Sequence, residues 1–366
     1  MKVLHVINSL ETGGAEKLLL DTIPLYNKRG IQTDLLVLNG DDFPFLKVLK
    51  TMNCCKIYSI GSKAYNPLHV FRLMPFLWKY DIAHVHLFPS QYWIVLAKIF
   101  SFSKIKLVVT EHSATNPRIN SYFLSLLDRF IYKFYDKVVC ITDEVCKIRK
   151  EHLRNPKSKL VVIQNGVKLQ NVYNARPYER KLISESFEDH DVLLIQIASF
   201  NKHKDPETVI KAMQYLPENF KLIFVGNGPF RENCESLSKE LKVTSRVYFL
   251  GSRTNVPQLL KAADISVLSS KGEGLSLTAI ESMASGKPFI ASNVSGMAIT
   301  EGAGILFEKG NAEELAFYIK RLMNEKEFYE NTVNACKARA QEFDIEFMID
   351  KHVLLYQEIV KTKDEN

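Results

Sequence analysis

Two carboxylates at a fixed spacing are the residues best placed to do chemistry. Glu273 and Glu281 sit in the run Ser269-Ser270-Lys271-Gly272-Glu273-Gly274-Leu275-Ser276-Leu277-Thr278-Ala279-Ile280-Glu281. An apolar strand there passes into a glycine-bearing turn and then into a helical pattern. Glycines at 272 and 274 let the main chain approach a ligand closely, because no side chain intervenes. The N–H groups that open the following helix make an anion site suited to phosphate. Leu277, Ile280 and Ala284 set an inward stripe, and Glu281, four residues after Leu277, is expected on that face. A carboxylate there needs a polar partner. Ribose hydroxyls would supply one, and a core Lys or Arg is the alternative.

Other groups stand at the ends of apolar strands. Gly13-Gly14 follows the first strand and leads into a helix, either as a backbone approach to a ligand or as an ordinary tight turn. His84 and His86 share one strand parity, so both are expected on one face, with His86 on an acceptor side. No Asp, Glu or Cys nearby completes a metal set with them. His112 ends another strand, where a purely structural histidine is the alternative. Three motifs mislead. Gly226-Asn227-Gly228-Pro229-Phe230-Arg231 lacks the last glycine of a dinucleotide fingerprint. Ser285-Gly286-Lys287-Pro288 lacks the first glycine and the hydroxyl of a P-loop. Asp189-His190-Asp191 precedes a strand and reads as its solvated start.

The elements that must position these residues alternate strand and helix, the pattern of an α/β protein with parallel sheets. Strands are expected at 2–7, 33–38, 56–59, 82–86, 106–110, 137–141 and 160–163. A polar stretch at 167–189 reads as an interdomain connection. The pattern then restarts with strands at 192–198, 221–225, 247–250, 265–269 and 288–291. Helices are expected at 16–28, 121–134, 207–215, 231–241, 256–263, 277–285 and 312–324, followed by a long helical segment. Two doubly wound sheets are implied, with a ligand at the carboxyl ends of the strands.

The 366 residues allow two such domains. Residues 1–170 hold 24 Lys and Arg against 13 Asp and Glu, and the remainder 24 against 28. A basic front half suits an anionic membrane, an anionic substrate or nucleic acid, or is simply a soluble basic surface. No apolar run is long enough to span a bilayer. The stretches 71–80 and 119–137 mix aromatic with cationic residues, as helices lying in a membrane interface do and as core helices also do. The start, MKVLHVINSL, reads as a first core strand rather than a secretion signal. The six cysteines form no zinc or redox spacing, so reduced thiols in a cytoplasmic protein are expected.

Glu273 and Glu281 have the E-x7-E spacing of retaining glycosyltransferases of the GT-B fold, and the whole chain resembles glycosyltransferase family 4. The resemblance rests on Gly13-Gly14-Ala15-Glu16, His84-Val85-His86, Thr110-Glu111-His112, Asn165-Gly166-Val167 and Ala198-Ser199-Phe200-Asn201-x-x-Lys204. It continues through Val225-Gly226-Asn227-Gly228-Pro229 and Phe249-Leu250-Gly251. It implies an α/β GT-B fold, with two Rossmann-like doubly wound domains facing a central cleft. Residues 1–168 would bind the acceptor and 169–344 the donor, and a C-terminal helix at about 345–362 would pack back on the first domain.

The resemblance implies transfer of a hexose or N-acetylhexosamine from a nucleotide-sugar, with UDP-sugar expected, to a glycan or lipid-linked acceptor. No cofactor or metal is required, nucleic acid is not a partner, and the place of work is cytoplasmic, peripheral on the inner face of the membrane. Among residue roles, Lys204 neutralises the donor pyrophosphate, Glu273 holds the transferred sugar and Glu281 the ribose. Gly13 and Gly14 bring amides to the diphosphate or sugar, and His112 approaches the sugar. Ser199, Asn201, Gly226, Asn227, Arg253, Gly274, Leu275, Ser276 and Leu277 line the donor. Ser199 stands where the family usually carries an arginine, one positive charge fewer. Three other readings remain: an epimerase of the same fold, a sugar phosphorylase (no segment suggests its pyridoxal phosphate lysine), and a non-catalytic nucleotide-sugar binding protein.

Overall fold

The computed structural model describes residues 1–113, 121–154 and 159–364. It divides into two compact units, one of Met1–Gly166 with Ile345–Asn366 and one of Val167–Asp344. In the first unit, strands β1 (Lys2–Ile7), β2 (Gln32–Val37), β3 (Ile57–Ser59), β4 (Ile82–His86), β5 (Lys106–Glu111), β6 (Lys137–Cys140) and β7 (Leu160–Val162) form one sheet. Its order is β3-β2-β1-β4-β5-β6-β7, and every neighbouring pair is parallel. Helices α1 (Gly14–Lys28), α2 (Pro44–Met52), α3 (His69–Leu73), α4 (Ser90–Ser101), α5 (Tyr122–Tyr132) and α6 (Asp143–His152) supply the crossovers. Parallel strands need such crossovers, which cover both faces and make near-continuous apolar strands the stable choice. In β1, Val3 to Ile7 are all buried.

The second unit opens with α7 (Leu169–Tyr173) and carries β8 (Val192–Ile197), β9 (Phe220–Val225), β10 (Val247–Phe249), β11 (Ile265–Leu268), β12 (Phe289–Ser292) and β13 (Ile305–Phe307). Their order is β10-β9-β8-β11-β12-β13, again parallel. Helices α8 (Pro206–Ala212), α9 (Arg231–Glu240), α10 (Val256–Ala262), α11 (Leu277–Ala284), α12 (Ala312–Asn324) and α13 (Lys326–Gln341) complete it. The last helix, α14 (Ile345–Asp364), returns to the first unit. There Asp350 accepts from Arg29 Nε at 2.9 Å and Glu358 from Lys137 Nζ at 2.9 Å. Each sheet reverses its winding once, between β1 and β4 and between β8 and β11, and loops leaving such neighbours form the natural binding crevice.

Three expectations need correction. The polar stretch 167–189 is not a free connection. Arg180 Nη2 donates to Asp264 Oδ1 at 2.8 Å and its Nε to the Ala262 carbonyl at 3.0 Å, so charged groups there anchor the segment in the second unit. The long helical segment after 324 is broken at 342–344, where the Phe343 carbonyl accepts from Val167 N at 2.9 Å. Strand β13 was not expected, because three residues beside Gly304 carry too little pattern to register.

Candidate active site

In the second unit, the loops leaving β8 and β11 are adjacent because those strands pair. Asn201 Oδ1 accepts from the backbone N–H of both His203 and Lys204 at 3.0 Å, folding the first loop on itself. The His203 carbonyl then accepts from Lys271 N at 2.7 Å and from Ser270 Oγ at 3.1 Å, joining the first loop to the second. Beneath them Asp205, buried at a left-handed φ of +41°, accepts from Thr208 Oγ1 at 2.7 Å and Ser269 Oγ at 3.0 Å. Gln196 donates to the Lys204 carbonyl at 3.2 Å and accepts from Ser269 N at 3.2 Å. A strained backbone held by this many bonds is the mark of a pre-organised site.

On this platform Lys204 Nζ lies 2.5 Å from Glu273 Oε1, and the Glu273 side chain is only 8% exposed. The ammonium has three donors, so one bond to Glu273 leaves two for a ligand. Glu273 is fixed from behind: its N–H donates to the Ser295 carbonyl at 3.2 Å. Gly296, at φ +79°, lies so close that a Cβ would stand 2.3 Å from the Glu273 carbonyl oxygen. Ser276 caps α11 by accepting from Ala279 N at 3.3 Å, which leaves the N–H groups of Leu277 and Thr278 as the outward donors of the first turn.

Glu281 departs from expectation. The buried face of α11 is Ala279, Ile280, Ser282, Met283 and Ala284, whereas Glu281 is half-buried on the flank with Leu277. The stripe is rotated because Met283 and Ala279 face the core. Ser199 is exposed and its hydroxyl accepts from Asn201 Nδ2 at 2.9 Å. Lys202 Nζ stands 5.8 Å from the Phe230 ring centroid. Gly226 and Gly228 have positive φ, and a Cβ on either would meet the Ala198 or Phe200 carbonyl oxygen at 2.0 or 2.2 Å. Close packing on the β8 loop alone therefore demands both glycines. Asn227 and Arg253 are exposed beside them, and Leu275 is buried.

In the first unit, Gly13 ends the β1 loop as the cap of α1 in extended conformation. The Glu16 carboxylate folds back over it, 2.3 Å from where a Gly13 Cβ would be. Burial raises the pKa of Glu16 above its ordinary value. An anion at this helix end would meet that carboxylate, whereas a hydroxyl would find an acceptor. Nothing lies within 4 Å of a Cβ built on Gly14.

His112, half-buried just past β5, has its Nε2 3.1 Å from Nδ1 of His86. His86 Nε2 is in turn 3.0 Å from Nδ1 of His5. His86 is not open to an acceptor: it is 3% exposed, packed among the rings of His5, His84 and His112, while Tyr26 of α1 stacks on His5 and His352 and Tyr356 of α14 pack on His84. His84 shares the face, as its parity requires, and bonds Tyr356 Oη at 2.5 Å and Thr110 Oγ1 at 2.7 Å. Burial lowers the pKa of His112 to about 4 and, with repulsion from neighbouring rings, that of His86 far below 6.5. His5, His352, Asp205, Gln196 and Gly296 were not singled out in the sequence. Only Asp205-Pro206 carried a local signal, that of a helix start.

Helix α5 turns its aromatic residues outward. Tyr122, Phe123, Leu126 and Phe130 are exposed, while Ser125, Asp128, Ile131 and Tyr132 are buried. Asp128 accepts from Tyr92 Oη and lies 3.2 Å from His152 Nε2. Tyr132 Oη donates to Glu111, which also pairs with Arg149 Nη2 at 2.5 Å. Residues 119 and 120 of the aromatic stretch lie outside the described residues. No helix among the described residues is long and apolar enough to cross a membrane.

Comparison with known proteins follows the two units. The family described as Glycosyltransferase Family 4 matches residues 12–171, and that described as Glycosyl transferases group 1 matches 179–339. N-acetyl-alpha-D-glucosaminyl L-malate synthase of Bacillus anthracis is 28% identical over 77% of this chain and 75% of its own length. An Escherichia coli UDP-Gal:alpha-D-GlcNAc-diphosphoundecaprenol alpha-1,3-galactosyltransferase is 25% identical over 78% and 77%. Anabaena HepE, solved with UDP and glucose, superposes with a TM-score of 0.84 at 21% identity, over 98% of this chain and 99% of HepE. That likeness shows the GT-B fold, with two Rossmann-like domains. With both halves matched in order, the chain belongs to the family 4, group 1 glycosyltransferases.

Proposed function

We propose that this glycosyltransferase is retaining and metal-independent, and that it takes a UDP-activated hexose or N-acetylhexosamine. The observation that carries this reading is the Lys204–Glu273 pair at 2.5 Å, set where β8 and β11 loops meet. Lys204 and the outward amides of Leu277 and Thr278 hold the diphosphate, stabilising charge where it develops. Glu273 accepts from hydroxyls of the transferred sugar, and Glu281 from the ribose. Gly251–Arg253 holds the base, with Ser199, Asn201, Gly226 and Asn227 bordering the nucleotide. On the other unit, His112 and the Gly13-Gly14 turn are assigned to the sugar, since Glu16 disfavours an anion there.

The acceptor hydroxyl attacks the anomeric carbon on the face the diphosphate leaves. The carbon–phosphate-oxygen bond breaks, the new glycosidic bond forms, and the departing phosphate oxygen takes the acceptor proton. No protein base is then needed. The Escherichia coli relative's name, with a UDP-sugar donor and a diphosphoundecaprenol acceptor, favours a lipid-linked acceptor here. So do the exposed aromatics of α5 beside a basic front half, which suit docking on an anionic membrane from the cytoplasmic side. The test is product stereochemistry: with an α-linked UDP-sugar, NMR of the isolated product is expected to give an α-glycoside. A β-glycoside, or UDP-sugar isomerised without an acceptor, overturns the reading.

A further inference from the structure

The buried histidines of the first unit form a chain whose direction can be worked out. His352 Nδ1 lies 3.0 Å from the Met348 carbonyl, which only accepts, so Nδ1 carries the proton and Nε2 is a lone pair. His352 Nε2 and His5 Nε2 are both buried without a hydrogen-bond partner. Both residues line one small cavity of about 10 Å³, together with His84, His86, Thr110 and Asn165. That is room for a single water. A water accepts as well as donates, so it fits either tautomer of His5. Neither Nε2 has a hydrogen-bond partner, and a buried orphan N–H is rarer than an orphan acceptor. On that ground His5 Nε2 is the lone pair and His5 Nδ1 bears the proton.

The rest follows from one proton per ring. Burial holds His5 near pKa 3 and His352 and His112 near 4, with His86 far below 6.5, so each ring is neutral. We propose that His5 Nδ1–H donates to His86 Nε2 and His86 Nδ1–H donates to His112 Nε2, so that His112 is locked as the Nδ1–H tautomer. His5 and His86 are then positioning residues, and His112 presents a fixed N–H donor rather than a base. On the transferase reading, which this inference deepens, that donor serves an oxygen of the sugar or its leaving group. His5, His84 and His86 also bring three nitrogens within 4.8 Å. A divalent cation there would have to replace hydrogen bonds to Tyr356, Thr110 and His112, and none of the three carries a compensating carboxylate.

The experiment is long-range ¹H–¹⁵N spectroscopy on the full chain labelled at histidine, at pH 7, with no substrate. The result expected is a protonated Nδ1 and a lone-pair Nε2 on His112. His5→Asn, whose amide N–H replaces Nδ1–H, keeps that state, while His5→Leu releases His112 into exchanging tautomers. Nε2–H on His112 in the wild type overturns the chain, as does an unchanged His112 in folded His5→Leu. So does stoichiometric zinc that shifts the His5, His84 and His86 nitrogens. In a transfer assay His5→Leu is expected to lower kcat about tenfold, the weight of one hydrogen bond, with donor KM nearly constant and His5→Asn recovering most of it. The spectra read the tautomer even where no transfer is detected, so failure of the chain and failure of the transferase reading remain distinguishable.

Discussion

Gly296 packs against the loop that carries Glu273. Its φ of +79°, and the 2.3 Å that would separate a Cβ there from the Glu273 carbonyl oxygen, mean that Gly296→Ala must displace the loop carrying Glu273. The expected cost is about 1–3 kcal/mol of stability, read as a lower Tm, together with weaker donor binding. An unchanged Tm and unchanged UDP affinity would show that the loop accommodates the methyl group. The glycine belongs to the same class as Gly226 and Gly228, which the sequence did single out although it did not show their carbonyl contacts. Gly296 escaped notice because it sits outside any strand–turn–helix signal. Glu273 was legible from its place after an apolar strand, but its partner was not. That Lys204 would pair with it depends on β8 and β11 being neighbours, and order within a sheet is not written in local pattern.

Helix α5 buries a carboxylate and exposes phenylalanines, the reverse of an ordinary surface helix. Asp128 and Tyr132 tie the inner face to Tyr92 and Glu111, leaving Tyr122, Phe123, Leu126 and Phe130 outside. If that face enters a membrane interface, Phe123→Ser with Phe130→Ser should reduce flotation with anionic vesicles at least tenfold. Each ring contributes on the order of 2 kcal/mol when buried. The Tm should stay within a degree or two, since neither ring is in the core. Equal flotation of variant and wild type would assign the face another role. The composition of this helix was legible but its orientation was not, because aromatic and polar residues recur at the same helical spacing and either stripe could face inward. The same ambiguity misplaced Glu281 on α11. By contrast, every strand but β13 was legible, since apolar runs bounded by turns leave little choice when both faces are covered.

For the whole molecule, the buried imidazoles make stability depend on pH. Unfolded, these histidines titrate near 6.5, while burial holds His5 near 3, His112 and His352 near 4, and His84 and His86 well below 6.5. Between about 6.5 and 4 the unfolded chain therefore binds more protons, and folding stability is lost as pH falls through that window. Each histidine contributes a slope of about 1.4 kcal/mol per pH unit. The Tm should be level above pH 7 and fall steeply toward pH 5, and a level Tm across that range would contradict neutral rings in the fold. Proton linkage concerns the first unit, whereas the proposed donor binding is assigned to Lys204 in the second. Calorimetric titration of UDP into wild type and Lys204→Ala tests that claim most directly. The account predicts saturable one-to-one binding by the wild type and affinity at least tenfold weaker in the variant. Equal affinity for the two proteins, or no binding by the wild type, would contradict it.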